Sequence, residues 1–310
     1  MPDIVVMFFL LGLISGLVKS DLAIPKAAYD VLSLLLMLTI GLKGGMGLHG
    51  NMGMHLVTEL LAIALLGFLI PLLLFPLLLK VVRLSIADSA SFTAHYGSVS
   101  AGTFAVALAY AESQQLMVSG QVTLYLVLLE VPAIIVGLYL FRRFAPQASN
   151  TVSPHGLLHE SITNRGVILL IGGVIIGWMY GPIDGAGVTS LYTSAFMGIL
   201  ALFLLEMGLV AADSLSKIQW QNIRIIVFAL LAPPILALFG AATGHLLGLP
   251  GGAILILATL TASASYIAAP VAVRAAIPDA NIGLAMLASL GVTFPFNVIV
   301  GIPLYHHLFL

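Results

Sequence analysis

Two short segments hold the side chains best suited to chemistry. They are His95-Tyr96-Gly97-Ser98-Val99-Ser100-Ala101-Gly102-Thr103 and Thr261-Ala262-Ser263-Ala264-Ser265-Tyr266-Ile267-Ala268-Ala269-Pro270. Both lie inside otherwise apolar runs. Glycine and proline weaken or interrupt the hydrogen-bond ladder of a helix, and serine and threonine hydroxyls satisfy the groups released. One reading is close packing, since small residues let membrane helices approach one another. The other is a pair of discontinuous helices. Each break would expose a half-helix N-terminus with free N–H groups and about half a positive charge, so two facing breaks present about one unit to an anion. A small monoanion fits that charge. Ser98, Ser100, Thr103, Ser263 and Ser265 are the candidate hydroxyl partners, and carbonyls at the opposing half-helix C-termini suit a small cation such as Na⁺. Gly97, Gly102 and Tyr266 of the same segments, together with Glu130, form the candidate ion-coupling group. There is no polydentate cage for a transition metal, and no cofactor is expected.

Ionisable residues inside apolar runs demand an explanation, because a charge at the bilayer centre costs about 2.5–3.5 kcal/mol on insertion scales. Glu130, just before Pro132, is the deepest acid in the first half. It suits cation ligation, proton carriage or a neutral hydrogen-bonded state. Lys43 and Glu206 occupy matching places in the two halves, and mutual pairing as a structural pair is the economical expectation. Glu112, Asp88 and Arg274 fall at expected helix ends, where solvation or snorkelling suffices. His95 borders the first break, where a packing role competes with a ligand role.

The elements that must position these residues follow from composition. Of 310 residues, 61% are hydrophobic and 7% charged, far from the roughly 25% charged residues of a soluble domain. Apolar runs fall at about 4–18, 31–48, 56–79, 86–111, 122–141, 167–181, 191–212, 223–247, 253–277 and 282–308, which makes ten spans. Long runs without alternation are helices, whereas a membrane barrel shows short strands of period two. The first run lacks the basic leader of a signal peptide. Nine of the eleven basic residues, namely Lys19, Lys26, Lys80, Arg83, Arg142, Arg143, Arg165, Lys217 and Arg224, then fall on one side. The positive-inside rule makes that side cytoplasmic in an inner or plasma membrane, with both termini outside. A net charge of −1 without a basic patch excludes nucleic acid as a partner. With no cysteine, disulfides and thiol catalysis are excluded. The spans contain no His-Glu-x-x-His or Gly-x-Ser-x-Gly motif, so an enzyme is not expected.

A shift of about 161–165 positions aligns the two halves. Gly12 and Gly16 match Gly173 and Gly177, Gly45 matches Gly208, and Ser98-x-Ser100 matches Ser263-x-Ser265. Five spans per half turn the second copy upside down, the inverted-repeat design of secondary transporters with a midplane site. The expected architecture is an all-α integral membrane protein of ten transmembrane helices, a 5+5 inverted repeat with the fourth and ninth helices broken. Residues 1–141 form the first repeat, 142–165 a cytoplasmic connector and 166–310 the second repeat.

In this order, Ile40-Gly41-Leu42-Lys43-Gly44-Gly45, Gly97-Ser98-Val99-Ser100 with Thr103, Glu130-Val131-Pro132-Ala133, Ala262-Ser263-x-Ser265, and Arg274-Ala275-x-Ile277-Pro278 resemble the sodium-dependent bicarbonate symporter family known from cyanobacteria. The resemblance covers nearly all ten spans. It implies a gate and a mobile core, a homotrimer in the lipid bilayer, bicarbonate bound where the broken helices cross, Na⁺ beside it as the coupling ion, and an elevator-like movement. Two departures stand out. The family's Ser-Ser-Ser-Asp is Ser263-Ala264-Ser265-Tyr266 here, which removes a carboxylate suited to Na⁺. Its Gly-Ser-Thr is Ala101-Gly102-Thr103, which removes a hydroxyl from the implied anion site. The connector is much shorter than the family's, so the family's PII-like regulatory partner is not carried over. The expected function is secondary transport of a small anion, Na⁺-dependent bicarbonate uptake first. The alternatives are a proton-coupled permease using Glu130 and Tyr266, and a membrane receptor that binds an anion without moving it.

Overall fold

A computed structural model of the protein describes residues 3–50, 53–145, 163, 165–216 and 222–310. Most of the expected connector, at 146–162 and 164, lies outside the described residues, as does Lys217. The described chain is all helix and loop. In order, the helices are α1 (Ile4–Leu17), α2 (Lys26–Leu48), α3 (Met54–Leu77), α4 (Ile86–Gly97), α5 (Ala101–Ser113), α6 (Val122–Phe144), α7 (Arg165–Asp184), α8 (Ala186–Ser216), α9 (Ile223–Leu246), α10 (Gly251–Thr261), α11 (Ala268–Ala276) and α12 (Ile282–Phe309). Seven of these are long and apolar enough to cross a membrane: α2, α3 with the π turn that extends it to Val82, α6, α7, α8, α9 and α12. α1 is apolar but has only 14 residues. The stretches expected as the fourth and ninth spans are each two shorter helices in tandem, α4 with α5 and α10 with α11.

Local chemistry sets these boundaries. The Asp3 carboxylate caps α1 by accepting from Val5 N–H at 2.9 Å. The Ser85 hydroxyl caps α4 by accepting from Asp88 N–H at 3.0 Å. α3 carries Pro71 and Pro76, whose missing N–H groups loosen the ladder, and its last turn winds as a π helix over Leu78–Val82. α12 holds two further π segments, Leu287–Thr293 and Asn297–Gly301, around Pro295. Outside, large apolar side chains such as Leu61, Leu65, Ile175, Leu231 and Leu238 face away from the protein. In water such a surface would be a liability, and in lipid it is the matching exterior.

The helices sort into two packed groups. In the first, α1 lies along α8 and α2 along α7. A Cβ at Gly12 would overlap the Leu205 carbonyl of α8, and one at Gly208 would overlap the Phe9 carbonyl of α1. Gly41 and Gly45 meet α7 in the same way. Without a hydrophobic drive between helices in lipid, this backbone-to-backbone approach is what dispersion needs. The second group joins α3 and α4 to α6, and α9 to α10, with α12 behind. Phe9, Phe294 and Tyr266 stack edge to face where the groups meet.

Replacing Gly12 by valine forces α1 off α8. The expected cost is about 1–3 kcal/mol, as for overpacking of other dense interiors, read as a lower thermal unfolding midpoint in detergent. Val at Gly187, where an added Cβ meets nothing within 4 Å, is the control and leaves the midpoint unchanged.

Candidate functional site

The two interruptions meet. α4 stops at Gly97, and Ser98 and Ser100 are extended, with φ −89 and ψ 179 and with φ −109 and ψ 118. α10 stops at Thr261, and α11 begins only at Ala268. Between the breaks, Ser100 N–H donates to Ser263 Oγ at 2.9 Å, and Ser265 N–H donates to the His95 carbonyl at 2.8 Å. Ser263 Oγ in turn donates to the Leu260 carbonyl at 2.7 Å. From α12, Asn297 Nδ2 donates to the Ala262 carbonyl at 2.8 Å while its Oδ1 accepts from Tyr305 OH at 2.9 Å. Each released backbone group named here has found a partner from another segment.

A cavity opens beside the breaks. One wall is the paired helix starts, Ser100 and Ala101 of α5 and Ser265 to Ala268 at α11; the other is Ser33 and Met37 of α2 with Arg165 and Leu170 of α7. Glu130 of α6 reaches it from the side. Ser100 and Ser265 play equivalent parts. Ser100 Oγ accepts from Thr103 N–H at 3.0 Å, and Ser265 Oγ accepts from Ala269 N–H at 3.2 Å. Both hydroxyls therefore use a lone pair as a helix cap; the Ser265 O–H remains to give, and the Ser100 hydroxyl faces that of Tyr266. Added to them are first-turn N–H groups of two helices that no carbonyl of the same helix can reach.

A family model described as the Na⁺-dependent bicarbonate transporter superfamily matches residues 4–309. The chain belongs to that superfamily. It is accordingly a multi-pass membrane protein. No curated protein matches the chain.

In this superfamily member, four of the expected site residues line one cavity: Ser100, Ser265, Tyr266 and Glu130. Ser98, Thr103, Ser263, Gly97 and Gly102 do not line it. Ser263 has spent its O–H on Leu260 and braces the crossing. Ser98 Oγ is buried with no hydrogen-bond partner among the described residues. Thr103 is buried in the first turn of α5, where its N–H completes the Ser100 cap. Gly97 packs on Pro71 and Ala133, and a Cβ at Gly102 would strike the Tyr266 hydroxyl. His95 is fully buried, with Nδ1 2.7 Å from the Ser91 carbonyl, and does not line the cavity.

One expectation is overturned. Lys43 does not pair with Glu206; its Nζ lies 2.6 Å from Glu112 Oε1 and 4.4 Å from the ring centre of Phe196. Phe196 and Glu206 are ten residues apart on α8, about 15 Å along a helix. In an inverted repeat, positions related by a two-fold in the membrane plane lie at opposite depths unless they sit at the level of the axis, so matching places in the two halves need not be neighbours. Glu206 keeps one buried carboxylate oxygen without a hydrogen-bond partner among the described residues.

Other polar residues escape a reading of spans. Asn297, which ties the second break to α12, is a lone amide in an apolar run, and that rarity is its only signal. Glu59 is 7% exposed and accepts from Tyr125 OH and from Gln121 Nε2, the latter at 3.2 Å, which fixes α3 to the start of α6. Arg165 looks like a loop charge yet lines the cavity, with Nη2 2.8 Å from Asp30 Oδ1.

Ser263→Ala removes the acceptor of Ser100 N–H and leaves that group buried and unpaired. The expected loss is about 1–3 kcal/mol of stability, measured as a lower unfolding midpoint. Ser98→Ala, which removes no hydrogen bond seen here, leaves it within error of the parent.

Proposed function

We propose that the protein is a secondary transporter of a small monoanion, with bicarbonate as the substrate and Na⁺ as the coupling ion. One observation carries the reading: two serine-capped helix starts, at Ser100 and Ser265, converge on one cavity and bring their hydroxyls to its wall. Helix N-termini offer partial positive charge without a titratable group, so the site attracts a monoanion at any working pH. Membership of a superfamily described by Na⁺ and bicarbonate supports both the anion and its partner ion.

In this reading the chain crosses the membrane ten times, α4 with α5 and α10 with α11 each making one crossing, and its halves are inverted copies. The face bearing Lys80, Arg83, Arg142, Arg143 and Arg224 is cytoplasmic, and both termini are outside. Na⁺ would be held by oxygen atoms near the breaks. Ser98 Oγ, buried and unpartnered, suits such a hard cation, and Glu130 supplies a carboxylate at the cavity wall. An anion and a cation bound side by side cancel charge in a medium of low dielectric, which makes each favour the other.

Proton coupling is the second reading, favoured by Tyr266, which stands where the resembled family has aspartate, and by Glu130 as the one carboxylate among the residues lining the cavity. Uptake of labelled bicarbonate into proteoliposomes separates the two. Na⁺ coupling predicts accumulation under an inward Na⁺ gradient at equal pH. Accumulation that follows only an imposed pH gradient supports the proton. No uptake under either gradient removes bicarbonate as substrate.

Ser100→Ala and Ser265→Ala each delete one hydroxyl from the cavity wall. Each is expected to weaken bicarbonate binding by about 0.5–1.5 kcal/mol, roughly a 2- to 12-fold rise in Kd, measured by calorimetry in detergent with Na⁺ present. Unchanged affinity in both variants places the anion elsewhere.

A further inference from the structure

The cavity at the breaks has a mouth. A second hollow adjoins it, and Ser33, Arg165, Tyr266 and Ile267 line both. Lys26 of α2 and Arg274 of α11 line the outer hollow only. Three cations thus face Asp30, the one carboxylate among the residues lining the mouth, and Glu130 lies deeper. Arg165 binds Asp30 at 2.8 Å through Nη2, a contact that holds the guanidinium in place and engages one of its five N–H donors. Among the described residues neither Lys26 nor Arg274 has a carboxylate partner. Cations on the cytoplasmic side of a membrane protein need no special account, but these three surround the path to the candidate site.

We propose that this vestibule is a second anion station, specific for a small planar oxyanion. Lys26 and Arg274 raise the local anion concentration at the mouth. Arg165, oriented by Asp30 and shared by both hollows, presents a planar fork to two oxygens of the anion and passes it to Ser100 and Ser265. The station rests on the transport reading above, because it gives that site its approach path. Charge draws the anion in, and the inner site, built from backbone and hydroxyls, receives it. Lysine in place of Arg165 would keep the charge and lose the fork.

The chain contains no cysteine, so single cysteines report on the vestibule without a background to remove. Val271 lines the mouth and is 51% exposed. At Val271→Cys, a negatively charged methanethiosulfonate reagent should react about tenfold faster than its positively charged analogue, relative to the same pair on a free thiol. Adding Lys26→Gln and Arg274→Gln should bring the ratio to within about twofold of the free thiol, and 1 M salt should do the same. A ratio near the free-thiol value in the parent, or one indifferent to neutralisation, overturns the proposal. In proteoliposomes, Lys26→Gln with Arg274→Gln should raise the KM for bicarbonate about 3- to 10-fold at low salt with kcat within twofold. Arg165→Lys should raise KM while leaving the labelling ratio intact; an unchanged KM would show that the fork plays no part. If the parent moves no bicarbonate, the transport reading fails and the labelling still judges the vestibule. If uptake is normal and the labelling ratio is flat, the vestibule alone fails.

Discussion

Hydrocarbon offers no hydrogen bonds, so a helix can be interrupted in a membrane only where something else takes up the groups it releases. Here the takers are the two breaks themselves. Ser100 N–H goes to Ser263 Oγ, and Ser265 N–H goes to the His95 carbonyl, so each break supplies the partner the other lacks. Neither would be tolerable alone. This reciprocal brace fixes where α5 and α11 begin, and hence where two helix N-termini point. Asn297 completes it by holding the Ala262 carbonyl, and Tyr305 holds Asn297.

What the brace leaves over is the functional surface. Of the paired serines, Ser263 is fully used within the brace, as acceptor from Ser100 and donor to Leu260, whereas Ser265 is used only as an acceptor and Ser100 turns its O–H toward Tyr266 at the cavity. A hydroxyl has one proton, and its destination separates scaffold from site. The opposite wall comes from α2 and α7, whose close glycine contacts make them a firm backing. The cavity therefore lies between the two packed groups and is not enclosed by either. Under the proposed transport, sliding one group against the other changes which face the cavity meets without dismantling the brace, because the brace lies wholly within the second group.

The breaks were legible in the sequence because Gly97, Gly102 and Pro270 are costly in an apolar helix, and because the neighbouring Ser98-x-Ser100 and Ser263-x-Ser265 match at one offset. The helix boundaries followed from charge and apolar run length. Side-chain partners were a different matter. Matching places in the two halves of the sequence point Lys43 to Glu206, yet an ion pair is set by proximity in space, and the carboxylate beside Lys43 is Glu112 at the end of α5. Ser263 and Ser265 look alike in one dimension, and only the location of Leu260 and Ala269 tells them apart. Arg165 counted as a loop charge because span assignment treats every residue outside the bilayer alike, although the first residue of α7 turns inward to the cavity.

The substitution of Tyr266 for the carboxylate of the resembled family bears on how coupling works. With aspartate at that position, a cation site would carry its own negative charge and bind Na⁺ whether or not the anion were present. Tyr266 is neutral at ordinary pH, and its ring packs on Phe294 at 5.4 Å between centroids. The local positive charge from two helix starts, about one unit in all, then meets only the Glu130 carboxyl at the wall until an anion arrives. A cation near those N-termini is held less well by the empty site than by the filled one. Under the proposed function this makes the anion the first to bind and the cation the second, an order enforced by Coulomb's law in a medium of low dielectric. Under the proposed function, the missing carboxylate thus leaves the bound anion, with Glu130, to supply the attraction that couples the cation.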